Sequence, residues 1–191
     1  TMILKPSKEA PLNAFILADI IHDCGIPKGV FNLVSGHGRE IGKAISSHPE
    51  VDMVSFTGST AAGISVSKEA SETVKRVTLE LGGKSANIIL DDADMAKAAK
   101  MSVYSCFNNS GQECSSLSRL LIPSSHREEI IEVISNTMER YSVGDPMDES
   151  IKCGPMVSES QQKSVSGYIS KGISEGATVI SGGLGTPEGV S

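Results

Sequence analysis

From Met2 to Leu81, short β-rich runs take turns with longer amphipathic stretches, and this alternation constrains the fold more than any other feature of the chain. The runs are Met2–Leu4, Phe31–Val34, Met53–Phe56 and Val77–Leu81, and between them lie Pro11–Cys24, Arg39–Ser47 and Ser59–Ala70. In the first amphipathic stretch Leu12, Ile16 and Ile20 recur at helical spacing beside Phe15, Leu17 and Ile21, while Asn13, Asp19 and Asp23 are polar. Pro11 suits the first turn of such a helix and Gly25 its end. Strands that alternate with helices of this length pair in parallel through right-handed crossovers, so the expected class is α/β, with a Rossmann-like sheet covered on both faces. A ligand crevice then lies at the carboxyl ends of the strands.

Gly82-Gly83 interrupts the rhythm and sets an expected domain boundary, with 1–82 as one part and 83–191 as the other. Ser85–Leu90 opens a second α/β section, followed by a helix that Asp91-Asp92 is expected to start. Arg119–Ile122 reads as a further strand. Ser125 and Glu128 have capping-box spacing ahead of a helix whose Ile130, Ile134, Met138 and Tyr141 share a face, and Gly144-Asp145-Pro146 stops it. A helix around Ser160–Glu175, a short strand Thr178–Ser181 and a Gly/Pro-rich end complete the chain.

Composition removes several classes of function. The 39% apolar content of 191 residues can fill a core, and 17 basic against 23 acidic residues give a net charge of −6 with no run of like charge, so a nucleic-acid partner is not expected. No stretch approaches the roughly 20 apolar residues of a membrane span, and Thr1–Leu12 lacks the apolar region of a signal peptide, which points to a cytoplasmic protein with no membrane partner. Cysteines at 24, 106, 114 and 153 form no C-x-x-C pair, and histidines at 22, 37, 48 and 126 form no helical ligand pair. Free thiols in a reducing compartment, and no metal, are the expectation. Asn108-Asn109-Ser110 matches a glycosylation acceptor only formally, without a secretory signal.

Four segments carry chemistry. Gly36-His37-Gly38 sits between a strand and a helix, where glycines let backbone approach a nucleotide, although the next glycine, Gly42, comes one residue late for G-x-G-x-x-G and an ordinary tight turn fits as well. Phe56-Thr57-Gly58-Ser59-Thr60 has the same context, and its hydroxyl and free N–H groups suit either a phosphate or a simple helix cap. Cys114 lies in a polar, glycine-bearing segment, unlike Cys106 beside Val103 and Phe107, and is the best nucleophile candidate; an incidental loop cysteine is the alternative. Glu80 is a carboxylate in a strand whose Val77, Leu79 and Leu81 point the other way, next to a flexible double glycine. It suits a movable general base, or a solvated glutamate.

Taken together, Lys5-Pro6-Ser7, Phe56-Thr57-Gly58-Ser59-Thr60, Glu80-Leu81-Gly82-Gly83-Lys84-Ser85 and Gly111-Gln112-Glu113-Cys114 resemble an NAD(P)-dependent aldehyde dehydrogenase over essentially the whole chain. The resemblance implies that Cys114 attacks a small-molecule aldehyde and passes through a thiohemiacetal and a thioester, and that Glu80 activates the water that hydrolyses it. It implies cofactor contacts at Lys5, Ser7, Lys8, Gly36, Gly38, Gly58, Ser59 and Gly82, with NAD or NADP as cofactor. Lys8 stands where NAD-preferring members often carry glutamate, and Arg39 stands where proline is frequent, so NADP is admitted.

The family's Pro-Trp-Asn segment and its downstream ribose-holding glutamate have no counterpart here, and the chain has no tryptophan. The expectation is a central portion of a longer, homo-oligomeric enzyme, with little activity by itself, because one missing oxyanion donor costs about 10² to 10³ in rate. Two alternatives remain: a CoA-acylating relative, against which Glu80 argues, and a truncated, non-catalytic binding or structural paralogue.

Overall fold

The computed structural model describes residues 1–185. The chain divides into two compact units, Thr1–Gly82 and Gly83–Ser191. In the first unit the order is β1 (Met2–Leu4), α1 (Leu12–Asp23), β2 (Phe31–Leu33), a π-type turn over Gly38–Gly42 running into α2 (Lys43–Ser47), β3 (Met53–Gly58), α3 (Thr60–Ser71) and β4 (Arg76–Leu81). The second holds β5 (Ala86–Ile88), α4 (Met95–Phe107), β6 (Arg119–Leu121), α5 (Arg127–Met138) and α6 (Glu159–Ser174).

The predicted parallel crossovers are present: β1 pairs with β2, β3 with β4 and β5 with β6, all parallel. Among the described residues β1–β2 and β3–β4 are two separate pairs in the section expected to form one Rossmann-like sheet, and β5–β6 opens the second α/β section as expected. Ala14 is the buried residue of α1, whereas Leu12, Ile16 and Ile20, the expected inward stripe, are more than half exposed.

In the second unit the core is Ile89, Met95, Ala99 and Ile130, with Leu120, Ile122, Val133 and Ile134 packed around it. Ile130 is 1% exposed, so α5 is held to α4 and the β5–β6 pair by its predicted apolar face. The helix starts differ from expectation. Asp94, and neither Asp91 nor Asp92, caps α4, its Oδ1 accepting from the Lys97 N–H at 3.0 Å. The Ser125–Glu128 box does not form, because a 3₁₀ turn over Ser124–His126 leads into α5 and Arg127 holds Glu128 instead. Ser158, two residues before the expected start, caps α6. The expected strand Thr178–Ser181 is irregular and pairs with no strand among the described residues, and the chain's Gly/Pro-rich end beyond 185 lies outside them. Among the described residues no helix is long and apolar enough to cross a membrane.

Candidate active site

Parallel pairing sends the chain out of both strands of a pair at the same edge, and this gathers the predicted cofactor residues of the first unit. The Val34 N–H donates to the Leu4 carbonyl at 3.0 Å, so Lys5–Lys8 leaves β1 where Gly36–Gly38 leaves β2. Lys5 Nζ donates to the Pro6 carbonyl at 2.6 Å, and Ser7 Oγ accepts from the Glu9 N–H at 3.2 Å. Lys8 Nζ lies 3.1 Å from Glu9 Oε1, so this ammonium already has an anionic neighbour. Gly36 has φ 150°, and a Cβ there would come within 2.7 Å of Ile41 Cγ1, so only glycine lets the turn close on this isoleucine. Gly38 opens the π-type turn with free space at its Cβ position.

At the β3–β4 edge Thr57 is opposite Glu80, and Gly58 is opposite Leu81. Ser59, in extended conformation, caps α3, its Oγ accepting from the Ala62 N–H at 3.3 Å. The remaining first-turn N–H groups of this 12-residue helix have no intrahelical acceptor and carry its partial positive charge. Two contacts compress this edge. A Cβ on Gly58 would meet the Phe56 ring at 2.6 Å, and one on the buried Gly63 would meet Leu81 Cδ2 at 2.7 Å, so α3 lies against β4 beside the glutamate-bearing residue. Glu80 itself is exposed, matching the alternation of its strand. Gly82 and Gly83 have no atom within 4 Å of their Cβ positions. The chemistry of each edge suits part of a dinucleotide: an uncrowded helix N-terminus after β3 for a pyrophosphate, and lysine and serine donors after β1.

Cys114 lies in the second unit, on the loop between α4 and β6, and is exposed. The path to it is unusual. Asn109, Ser110 and Gly111 have φ of 49°, 58° and 73°, three consecutive left-handed residues, of which only one is glycine. Local bonds hold that conformation: Asn109 Nδ2 donates to the Gln112 carbonyl at 3.3 Å, and the Gln112 N–H to the Asn109 carbonyl at 3.1 Å. Long-range bonds then fasten it. Ser110 Oγ donates to the Gly154 carbonyl at 3.1 Å, and Gln112 Oε1 accepts from the Val157 N–H at 2.9 Å. The segment that receives them is itself registered by a bridge between Val143 and Cys153. Ser110, Gln112 and Gly154 are thus supporting residues that the sequence reading did not single out; polar side chains flanking a candidate nucleophile were the available signal.

Burial separates the thiols. It raises Cys153 above the ordinary value, and it raises Cys106 with Lys84 partly opposing, so both stay protonated where an exposed thiol ionises. Ser116, two residues beyond Cys114, is 6% exposed, and its Oγ has no hydrogen-bond partner among the described residues.

Comparison with known proteins extends over this whole framework. A sequence model described as "Aldehyde dehydrogenase family" matches residues 1–190. A 3-succinoylsemialdehyde-pyridine dehydrogenase of a Pseudomonas species is 50% identical over 190 residues, covering 100% of this chain and 40% of its own. A cysteine-to-alanine mutant of an aldehyde dehydrogenase from Pseudomonas syringae, solved with NAD+ and octanal, superposes with a TM-score of 0.97 at 46% identity over 99% of this chain and 39% of that one. An NAD+ complex of a Bacillus cereus aldehyde dehydrogenase gives 0.95 at 40% identity over 98% of this chain and 38% of that one. The chain spans about two-fifths, 40%, of the length of the curated relatives it matches. With the sequence match unbroken from residue 1 to 190 and the fold shared at this level, the chain belongs to the aldehyde dehydrogenase family.

Proposed function

We propose that this chain supplies the dinucleotide edge, the general base and the nucleophile of an aldehyde-oxidising enzyme that uses NAD or NADP. The observation that supports the reading best is the register that sets Glu80 on the same rung as Thr57, so that an exposed carboxylate sits at the strand edge from which the Gly58-Ser59 turn leaves for α3. In this reading residues 1–82 form part of an NAD(P)-binding domain, and 83–191 part of a catalytic domain.

The Cys114 thiolate attacks the aldehyde carbonyl carbon, forming a C–S bond as the carbonyl electrons move to oxygen. The Cys114 backbone N–H donates to that oxyanion. The chemistry supplied by a bound nicotinamide is acceptance of the hydride. As the C–O double bond re-forms, an acyl group remains on Cys114 as a thioester. Glu80 then takes a proton from water, the water oxygen attacks the acyl carbon, and the Cys114 thiolate leaves with release of the carboxylic acid. Splitting the oxidation at a thioester replaces one difficult step with two easier ones.

Lys8 and Arg39 remove the anionic repulsion that rejects a 2′-phosphate, so NADP is accepted alongside NAD. A cytoplasmic, reducing setting keeps Cys114 free, and the active form is a homo-oligomer. The test is aldehyde-dependent formation of reduced nicotinamide by the natural polypeptide, with its intact mass measured first and the product identified. Free carboxylic acid supports the hydrolytic reading, acyl-CoA formed in the presence of CoA supports the acylating relative, and absence of both with equal reactivity of all four thiols supports a non-catalytic paralogue.

A further inference from the structure

Arg119 makes an unusual pair of contacts at the start of the second unit. Its guanidinium Nε donates to the Lys84 carbonyl at 2.7 Å, and its backbone N–H donates to the Ser85 carbonyl at 3.1 Å, across the register that sets Ala86 opposite Arg119. Two successive carbonyls are therefore held by one residue. None of the ion pairs among the described residues uses this guanidinium. A charged donor on a backbone carbonyl is stronger than a neutral one, and here it is directed to one peptide.

What precedes that peptide gives the contact its meaning. Gly82 and Gly83 have open space around them, and Lys84 Nζ turns back only as far as the Gly83 carbonyl, 3.1 Å away. The chain thus passes from a ladder that ends at Leu81, through two glycines with no atom near their Cβ positions, to carbonyls clamped by Arg119. Arg119 is also five residues beyond Cys114 on the same strand-bound segment, so one residue anchors both the exit of the nucleophile loop and the near end of the glycine linker.

We propose that Arg119 is a positioning residue that fixes Lys84–Ser85 behind the β4 end that carries Glu80, so that any adjustment of that end falls on Gly82-Gly83. This rests on the assignment of Glu80 and Cys114 given above. A hinge works when a few residues absorb the change and their neighbours do not; the clamp makes Lys84–Ser85 such a neighbour.

The test has two arms. Endoproteinase Lys-C cuts the Lys84–Ser85 bond, whose carbonyl Arg119 holds. In Arg119→Gln this cut is expected to accelerate about tenfold relative to the cut after Lys97 in α4, with Arg119→Lys in between. An unchanged Lys84 cut, or an equal rise at Lys97, overturns the proposal, and Arg119→Lys decides it if the glutamine variant does not fold.

The second arm uses an activated aryl ester, which acylates a nucleophilic thiol with loss of phenolate and needs no dinucleotide, assayed on the natural full-length protein. Arg119→Gln is expected to lower steady-state turnover about tenfold while the acylation burst keeps its rate, and to add nothing further in a Glu80→Gln background. A parallel fall of burst and turnover, or no change in either, shows a merely structural role and overturns positioning. Absence of a burst in the unaltered protein overturns the assignment of Cys114, a failure that leaves the protease result standing apart.

Discussion

Thr57 faces Glu80 across the parallel β3–β4 pair, so the carboxylate occupies the same rung as the last residue before the Gly58-Ser59 turn. In the proposed mechanism Glu80 serves deacylation and takes no part in the attack. Glu80→Gln is therefore expected to leave acylation of Cys114 intact while turnover falls about 10² to 10⁴-fold, the usual range for a general base. Mass spectrometry checks this: the acyl adduct should accumulate on Cys114 in the variant and not in the parent. A turnover unchanged by the substitution would remove Glu80 from the mechanism.

Cys114→Ala removes the nucleophile from an exposed site and leaves no buried cavity. Aldehyde oxidation should fall by at least about 10³-fold while the thermal midpoint stays within the range of ordinary surface substitutions. A parallel loss of stability would mean that the thiol is structural.

Gly63→Ala inserts a methyl group where α3 touches Leu81, at a Cβ distance of 2.7 Å. Overpacking of this kind costs about 1 to 3 kcal/mol, read as a drop in urea midpoint. The same change shifts the strand end that carries Glu80, so ester turnover should fall more than the burst. Ile64→Ala, one position along on an exposed face, is the control and should change neither.

Much of this arrangement was legible because it follows from periodicity and turn chemistry. β1, β2, β4 and β6 lie within a residue of their predicted places, and α3 begins at its serine cap, because β-rich runs and helix signals there are local. What escaped depends on partners distant in sequence. Thr178–Ser181 reads locally as a strand, but pairing needs a partner distant in sequence, and none is found among the described residues. Two aspartates at 91 and 92 outnumber the single Asp94, yet the cap is set by where the backbone turns into α4. The anchors at Gly154 and Val157, which fasten the left-handed run Asn109-Ser110-Gly111, have no pattern in the local sequence, since they are contacts more than forty positions away.

The thiols supply a pH test. Burial holds Cys153 and Cys106 above the ordinary thiol value of 9.0, so the unfolded chain loses these protons first as pH rises. Their contribution to stability is fully present below 9.0 and is lost as pH climbs through the folded values. Urea midpoints on either side of that value should show a decline that Cys153→Ala reduces. Alkylation near neutral pH should modify the exposed Cys24 and Cys114 before Cys106 and Cys153, and an aldehyde should protect Cys114 alone.

Cofactor choice can be tested at the neighbouring pair. The Lys8–Glu9 contact of 3.1 Å is largely solvent-exposed, so its strength is that of a surface pair. Glu9→Gln frees the Lys8 ammonium and should raise the kcat/KM ratio for NADP over NAD by up to about fivefold. Lys8→Glu should move the ratio toward NAD. A ratio that ignores both changes would place selection elsewhere.

The three separate parallel pairs bear on how the chain acquires its structure. Met2 meets Phe31, Met53 meets Arg76 and Ala86 meets Arg119, so every rung joins residues only a few tens of positions apart. Closing such a loop costs little chain entropy, and that cost grows slowly with length. Each crossover is thus closed within its own stretch of chain, and its rungs form only after that loop has closed, the step that makes parallel pairing slow.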